Sequence, residues 1–165
     1  MLKNKFKLIL ILITILIIAP LIIFYIKGMN QKIEYKNDQY GFIFSLPKSW
    51  EGYSIVFDNW QGYSIENGND KFVEEGIIIL IRHPEWSLSE PRQDIPIMIF
   101  TIEQWNMLQG DKFHIGAAPV GPSELGRNNK YVFALPARYN YAFLKGYEEV
   151  EKNLKENPLK PFDVK

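Results

Sequence analysis

The sequence contains no cysteine, so the chain can form neither a disulfide nor a lipid-modified cysteine. It has only two histidines, His83 and His114, which lie far apart along the chain. Neither has a second metal ligand at helical or hairpin spacing, and a lone histidine is weak support for a metal site. We therefore predict no bound metal and no cofactor.

The sequence also lacks an excess of charge of either sign, with 19 basic and 19 acidic residues. All 19 acidic residues follow Gly28, together with 15 of the basic ones, so the chain after Gly28 carries a net charge of −4. Nucleic-acid binding usually depends on clustered Lys and Arg. A mildly acidic domain offers no such cluster, and we predict no nucleic-acid partner.

Several sequence motifs of catalysis are missing. The chain has no phosphate loop with Gly-Lys-Ser/Thr and no Gly-x-Gly-x-x-Gly fingerprint, and Ser123 does not stand in a Gly-x-Ser-x-Gly elbow. A triad of Ser123, His114 and an acidic residue can be written down, but a triad is recognised by geometry rather than composition. We predict no catalytic residue and favour a protein that is not an enzyme.

A long hydrophobic run is present at the N-terminus. Residues 8–26 carry no charge, and a bilayer is crossed by about 20 apolar residues. Lys3, Lys5 and Lys7 precede the run, which favours a cytoplasmic N-terminus. We predict that residues 1–28 are an uncleaved signal anchor and a single transmembrane helix in the cell membrane, which places the remaining chain outside the cytoplasm.

The chain after the hydrophobic run divides into a polar tether, residues 29–38, and a single domain, residues 39–165. Tyr40, Phe42, Phe44 and Leu46 alternate with smaller or polar residues, which predicts a strand that ends at Pro47. Similar patterns predict four further strands, at residues 53–57, 77–82, 97–101 and 131–135.

Two segments have helical character, residues 103–109 and the longer amphipathic segment 141–157. The apolar run 77–81 is hydrophobic on both sides, so we expect cover on both faces of its sheet. The predicted fold class is α+β, with an antiparallel sheet of about five or six strands and helices packed on its faces, preceded by the transmembrane helix.

The segment 37–50, NDQYGFIFSLPKSW, resembles the opening strand of the PsbP-like family, which has the pattern Tyr-Gly-Phe-x-Phe-x-x-Pro-x-x-Trp. The remainder of the chain agrees with that family in outline only. The resemblance implies an antiparallel sheet with helices on its faces, in an extracytoplasmic accessory or binding subunit without catalytic activity. The chain lacks the anchoring cysteine of the bacterial lipoprotein members, and the hydrophobic run stands in its place.

Two segments are candidates for binding a ligand or a partner. His83 ends the apolar strand and is followed by Glu85 and Trp86 in a loop, a common location for functional residues. The segment 116–129 is rich in Gly and Pro and predicts a shaped loop, with binding residues Ser123, Glu124 and Arg127. The alternatives are a strand-end histidine bonded to the backbone and a loop that only connects two strands.

Three functions fit this sequence. The favoured one is a noncatalytic, membrane-anchored extracytoplasmic domain that binds a partner protein or another envelope ligand. The alternatives are an envelope hydrolase that uses His83 or His114 as its general base, and a purely structural assembly element.

Overall fold

The computed structural model describes residues 31–66, 69–116 and 120–165, together with Leu16, Ile18 and Pro20, which are helical. The described strands form two antiparallel sheets, one in the order β1-β2-β8 and one in the order β3-β4-β5-β7-β6. The strands are β1 (Lys32–Asn37), β2 (Phe42–Pro47), β3 (Ser54–Glu66), β4 (Asn69–Arg82), β5 (Ile95–Thr101), β6 (Ser123–Arg127), β7 (Tyr131–Leu135) and β8 (Leu159–Pro161).

Strand β2 forms where the alternation of aromatic residues predicts it. Phe42, Phe44 and Leu46 point to one face and are fully buried, because side chains alternate between the faces of a strand. Gly41 precedes them with a φ of 80°, and a Cβ atom there would collide with the Phe162 carbonyl oxygen. The strand prediction for this segment is confirmed.

The five-stranded sheet has its apolar centre at β5, whose residues are buried from Ile95 to Phe100. The strands β3 and β4 pair along their whole length as a long hairpin. The two predicted strands at 53–57 and 77–82 are therefore only the inner parts of this hairpin. Residues 61–66 and 69–75, the described outer part of the hairpin, are mostly exposed because they extend beyond the core.

Both faces of the five-stranded sheet are covered, as the apolar run 77–81 predicts. On one face, Ile79, Ile97 and Phe133 pack against the buried face of β2 and against Val150. On the other face, a second cluster packs around Trp60, and its buried members are Trp60, Met98, Phe100, Trp105, Leu108, Phe113, Val132 and Ala134.

Two α-helices lie in the described part of the chain, α1 (Ile102–Gln109) and α2 (Tyr147–Lys155). The helix α1 matches the predicted segment and begins at a capping box between Thr101 and Gln104. The predicted helix over 141–157 is too long. Gly146 has a left-handed φ of 83°, which α-helical geometry does not allow, so α2 begins only after it.

The predicted α+β fold class is wrong. Strands make up 47% of the structure and helices 17%, and one face of the large sheet is covered mainly by a second sheet rather than by helices. The physical reason is that β1 and β8 complete a small sheet around β2, which buries the aromatic face of β2 against the large one.

The fold prediction also included an N-terminal transmembrane helix. Apart from Leu16, Ile18 and Pro20, residues 1–30 lie outside the described residues. None of the helices among the described residues has the length and apolar character that crossing a bilayer requires.

Two segments have more regular structure than their sequence suggests. Residues 32–37, within the segment assigned to the tether, form β1 and pair with β2. Residues 123–127, within the predicted shaped loop, form β6 with a bulge between Glu124 and Gly126.

Candidate functional site

Four strand ends meet at one end of the molecule, which we call the β1 end. Lys32 at the start of β1 pairs with Pro47 at the end of β2, and Ser54 at the start of β3 pairs with Arg82 at the end of β4. The short connection 48–53 joins β2 to β3, so the two sheets share this end. The loop 83–94 lies here, between β4 and β5.

His83 stands at the β1 end and is only 4% exposed. Its Nδ1 accepts a hydrogen bond from the Glu85 backbone N–H at 3.1 Å, so Nδ1 carries no proton and the neutral ring holds its proton on Nε2. The ring lies edge-on against Trp50, with centroids 5.0 Å apart. This geometry matches the alternative interpretation of His83, a strand-end histidine that is hydrogen-bonded to the backbone.

Three buried nitrogen atoms at the β1 end have no partner in hydrogen-bond geometry among the described residues: Trp50 Nε1, His83 Nε2 and Arg92 Nε. With the His83 tautomer fixed, all three are N–H donors. The rest of the Arg92 guanidinium is held by carboxylates, since Nη1 lies 2.5 Å from Glu85 and Nη2 lies 3.9 Å from Glu149. The sequence offers no signal that singles out Arg92.

Burial lowers the pKa of His83 because it disfavours the charged ring, and the neighbouring Arg92 charge lowers it further. Glu149, Glu85 and the Ser49 backbone act in the opposite direction but are outweighed. The basic lone pair of His83 is on Nδ1, which already accepts the Glu85 N–H, and the ring is buried, so this geometry does not present a general base to a substrate.

Glu85 and Trp86 follow His83 in the loop 83–94, where Glu85 is exposed and Trp86 is half-buried. The Arg82 guanidinium lies over the Trp86 ring at 3.9 Å and is paired with Asp94 at 2.8 Å. Trp86 is half-buried, and one face of its ring is engaged by this cation–π contact within the domain.

Ser123, Glu124 and Arg127 lie on β6. Glu124 and Arg127 pair with each other, with Arg127 Nε donating to Glu124 Oε1 at 2.7 Å. This hydrogen bond lowers the pKa of the Glu124 carboxyl. Because the pair is exposed, it stabilises the bulged strand only weakly.

The structure does not bring the two predicted sets of site residues together. β4 and β6 are separated by β5 and β7, so His83 and Ser123 lie at least about 14 Å apart across the sheet, at about 4.8 Å per strand. His83, Glu85 and Trp86 belong to the β1 end, whereas Ser123, Glu124 and Arg127 lie along the opposite edge of the sheet.

A shallow groove with a volume of about 440 Å³ lies beside β6. Its floor is apolar and its rim carries an amide, a carboxylate and an ammonium group. The lining residues are Leu125, Leu135, Tyr139, Asn140, Glu151, Leu154 and Lys155. On the rim, Asn140 Nδ2 donates to Glu151 Oε1 at 2.5 Å.

The sequence prediction missed most of this groove. It identified the segment that contains Leu125, but placed the binding groups on Ser123, Glu124 and Arg127. Glu151 and Lys155 are an i, i+4 pair on the predicted helix, which ordinarily indicates only a solvated helical face. Their convergence with β6 depends on how α2 packs, and no local pattern encodes that.

His114 lies far from the β1 end. Its backbone pairs with Tyr63 near the outer part of the β3–β4 hairpin, and its ring Nε2 lies 3.5 Å from Asp70. Across the described ranges 31–66, 69–116 and 120–165, no group of three or more His, Asp or Glu side chains is arranged to hold a metal ion.

Comparisons of the chain with family models, with curated proteins and with solved structures found no match. The resemblance of residues 37–50 to the PsbP-like family therefore stays a prediction.

Proposed function

We propose that the protein is a membrane-attached, extracytoplasmic binding domain without catalytic activity, and that its partner is an extended segment of another envelope protein. The attachment is assigned to the apolar segment 8–26 on the strength of its sequence. The single observation that carries the binding role is the groove beside β6.

The groove combines apolar and polar side chains. Leu125, Leu135 and Leu154 contribute apolar surface, and Asn140, Glu151 and Lys155 contribute polar groups beside it. The groove is broad and open rather than enclosed. An open site of this kind suits one side chain of a protein partner better than a small molecule that must be buried on most sides.

The position of the groove favours an extended partner. β6 stands last in the order of its sheet and carries the floor residue Leu125, whereas its Gly126 lies against Leu159 and Pro161 of β8. A peptide that adds to such an edge gains backbone hydrogen bonds and places alternate side chains on one face. We propose that one apolar side chain of the added strand enters the groove between β6 and α2.

The hydrolase alternative receives no support from the positions of the histidines. His83 is buried at the β1 end, and His114 lies beside the β3–β4 hairpin. Neither residue lines the groove.

The test is photocrosslinking in native membranes from two lysines of α2. A photoreactive residue replaces Lys155, which lines the groove, or Lys152, which stands in the same helix but does not line it. The proposal expects a discrete protein adduct from position 155 and none from position 152. Sequencing the adduct should identify one extended segment with an apolar residue at its centre.

A second variant links the adduct to the groove floor. Leu125→Ala should lower the yield at position 155 several-fold, with thermal unfolding measured in parallel to confirm that the variant is folded at the assay temperature. No adduct at position 155, or equal adducts at 155 and 152, would overturn the proposal.

A further inference from the structure

Three large apolar side chains at the β1 end face solvent. Leu88 is 91% exposed, Tyr141 is 77% exposed and Phe143 is 66% exposed. Leu88 lies in the loop 83–94, and the two aromatic residues lie in the segment 136–146 that follows β7. We call these three residues the apolar tip.

The two loops of the apolar tip are fixed to each other. Lys145 Nζ lies 3.0 Å from Glu90, and the Gln93 backbone N–H donates to the Lys145 carbonyl at 2.9 Å. The Gln93 side chain also donates to the Tyr139 carbonyl at 3.1 Å. The two loops that carry the apolar tip are therefore tied to each other rather than independent.

Phe143 presents its ring from an unusual backbone conformation. Its φ is 47°, in the left-handed region that Gly or Asn adopts more easily than a bulky residue. The ring meets Tyr147 edge-on at 5.2 Å, which holds its direction. Such conformations persist where the surrounding structure enforces them and are a pointer to function.

The β1 end is also where the chain arrives from the apolar segment. Only residues 27–31 separate Ile26 from Lys32, the first residue of β1. At most about 3.5 Å per residue, they reach roughly 20 Å. Lys32 pairs with Pro47, and the turn after Pro47 brings Ser49 to 2.5 Å from Glu149 in the first turn of α2, close to the apolar tip.

We propose that the apolar tip docks on the lipid surface of the membrane that holds the chain. This inference rests on the proposed attachment through residues 8–26. Aromatic rings with lysine or arginine beside them are typical of the boundary between headgroups and acyl chains, and Arg138 flanks the tip in sequence, whereas Lys145 on its other side is paired with Glu90. Docking would orient the domain so that the outer β3–β4 hairpin points away from the bilayer.

The chain has no cysteine, so single-cysteine labelling can test this in the full-length protein. Leu88→Cys, Tyr141→Cys and Phe143→Cys variants carry an environment-sensitive fluorophore in phosphatidylcholine vesicles, with and without a lipid-borne quencher. Ile65→Cys is the matched control, since Ile65 is 74% exposed and lies roughly 36 Å along β3 from the β1 end.

Docking predicts a blue shift and at least a two-fold loss of fluorescence to the lipid quencher at positions 88, 141 and 143, with neither change at position 65. When Leu88→Glu is added to the Phe143→Cys variant, the blue shift and the lipid quenching at position 143 should both disappear. The same signal at all four positions, or at none, overturns the proposal. A blue shift without lipid quenching also overturns it, because the tip would then contact protein.

Flotation of the same samples separates this proposal from the attachment on which it rests. Vesicles that float without the protein show that residues 8–26 do not attach the chain, and both proposals fail. Protein that floats with labels in aqueous surroundings overturns only the docking.

Discussion

The indole ring of Trp50 meets the imidazole ring of His83 edge-on, with ring centroids 5.0 Å apart and planes inclined by 84°. Trp50 lies in the 3₁₀ turn after β2, and His83 follows β4. The contact therefore joins the small sheet to the large one at the β1 end. A change of charge on His83 would act directly on this junction.

We expect the domain to lose stability as the pH falls through about 6.5, the usual pKa of an unfolded histidine. The pKa of folded His83 is lowered by burial and by Arg92, while Glu85 and Glu149 oppose that shift. The unfolded chain therefore binds the proton first. The contribution of His83 to stability is fully present above the pKa of the unfolded chain. It is lost progressively as the pH falls from that pKa to the lower pKa of the folded protein.

Urea unfolding of the wild type and of His83→Gln between about pH 8 and about pH 5 measures this contribution. His83→Gln should flatten the decline, whereas His114→Gln should retain it because His114 lies at a different site. If the unfolding free energy of His83→Gln declines as steeply with falling pH as that of the wild type, another group causes the pH dependence.

Gly76→Ala should destabilise the fold by about 1–3 kcal/mol, the usual cost of overpacking a core. A Cβ atom at Gly76 would lie 2.5 Å from the Trp60 ring. That ring cannot easily shift, because Nε1 donates to the Ile99 carbonyl at 2.9 Å and the ring stacks on Phe100.

The control for Gly76→Ala is Gly121→Ala, since no residue that the structure describes lies within 4 Å of a Cβ atom at Gly121. Tryptophan fluorescence during chemical unfolding would report both variants. Equal midpoints for the two would show that the Trp60 ring accommodates the added methyl group.

Phe44→Ala should cost about 3–5 kcal/mol of unfolding free energy, since it leaves a cavity where a fully buried ring packs between the sheets. Phe57→Ala offers a matched comparison, because Phe57 is also a strand phenylalanine but is 62% exposed. Thermal or chemical unfolding should show a change of less than about 1 kcal/mol for Phe57→Ala. Similar losses for both would contradict the placement of the core.

Thr101→Ala should destabilise α1 by about 1 kcal/mol, because the Thr101 hydroxyl accepts the Gln104 backbone N–H at 3.1 Å. Thr101→Ser keeps the hydroxyl and should lie close to the wild type. Chemical unfolding of both variants gives the difference. A serine variant as unstable as the alanine variant would assign the loss to packing rather than to the cap.

Local patterns in the sequence determined several elements. The alternation of Phe42, Phe44 and Leu46 specified β2, because a period of two leaves only one face for the aromatic rings. The apolar run 77–81 indicated cover on both faces, and the helical character of residues 103–109 indicated α1. Each of these signals depends on neighbouring residues alone.

Only the tertiary structure decided what supplies the cover and where the candidate sites lie. The three-residue β8 is too short for a strand signal of its own, and β1, whose Ile33 and Tyr35 alternate with polar residues, lies in the segment assigned to the tether. Both strands pair with an edge of β2. The groove likewise depends on where α2 lies relative to β6 and β7, since its lining comes from residues distant in sequence. Contacts between such distant residues leave no periodic trace in one sequence, and for that reason His83 and Ser123 could be named but not placed.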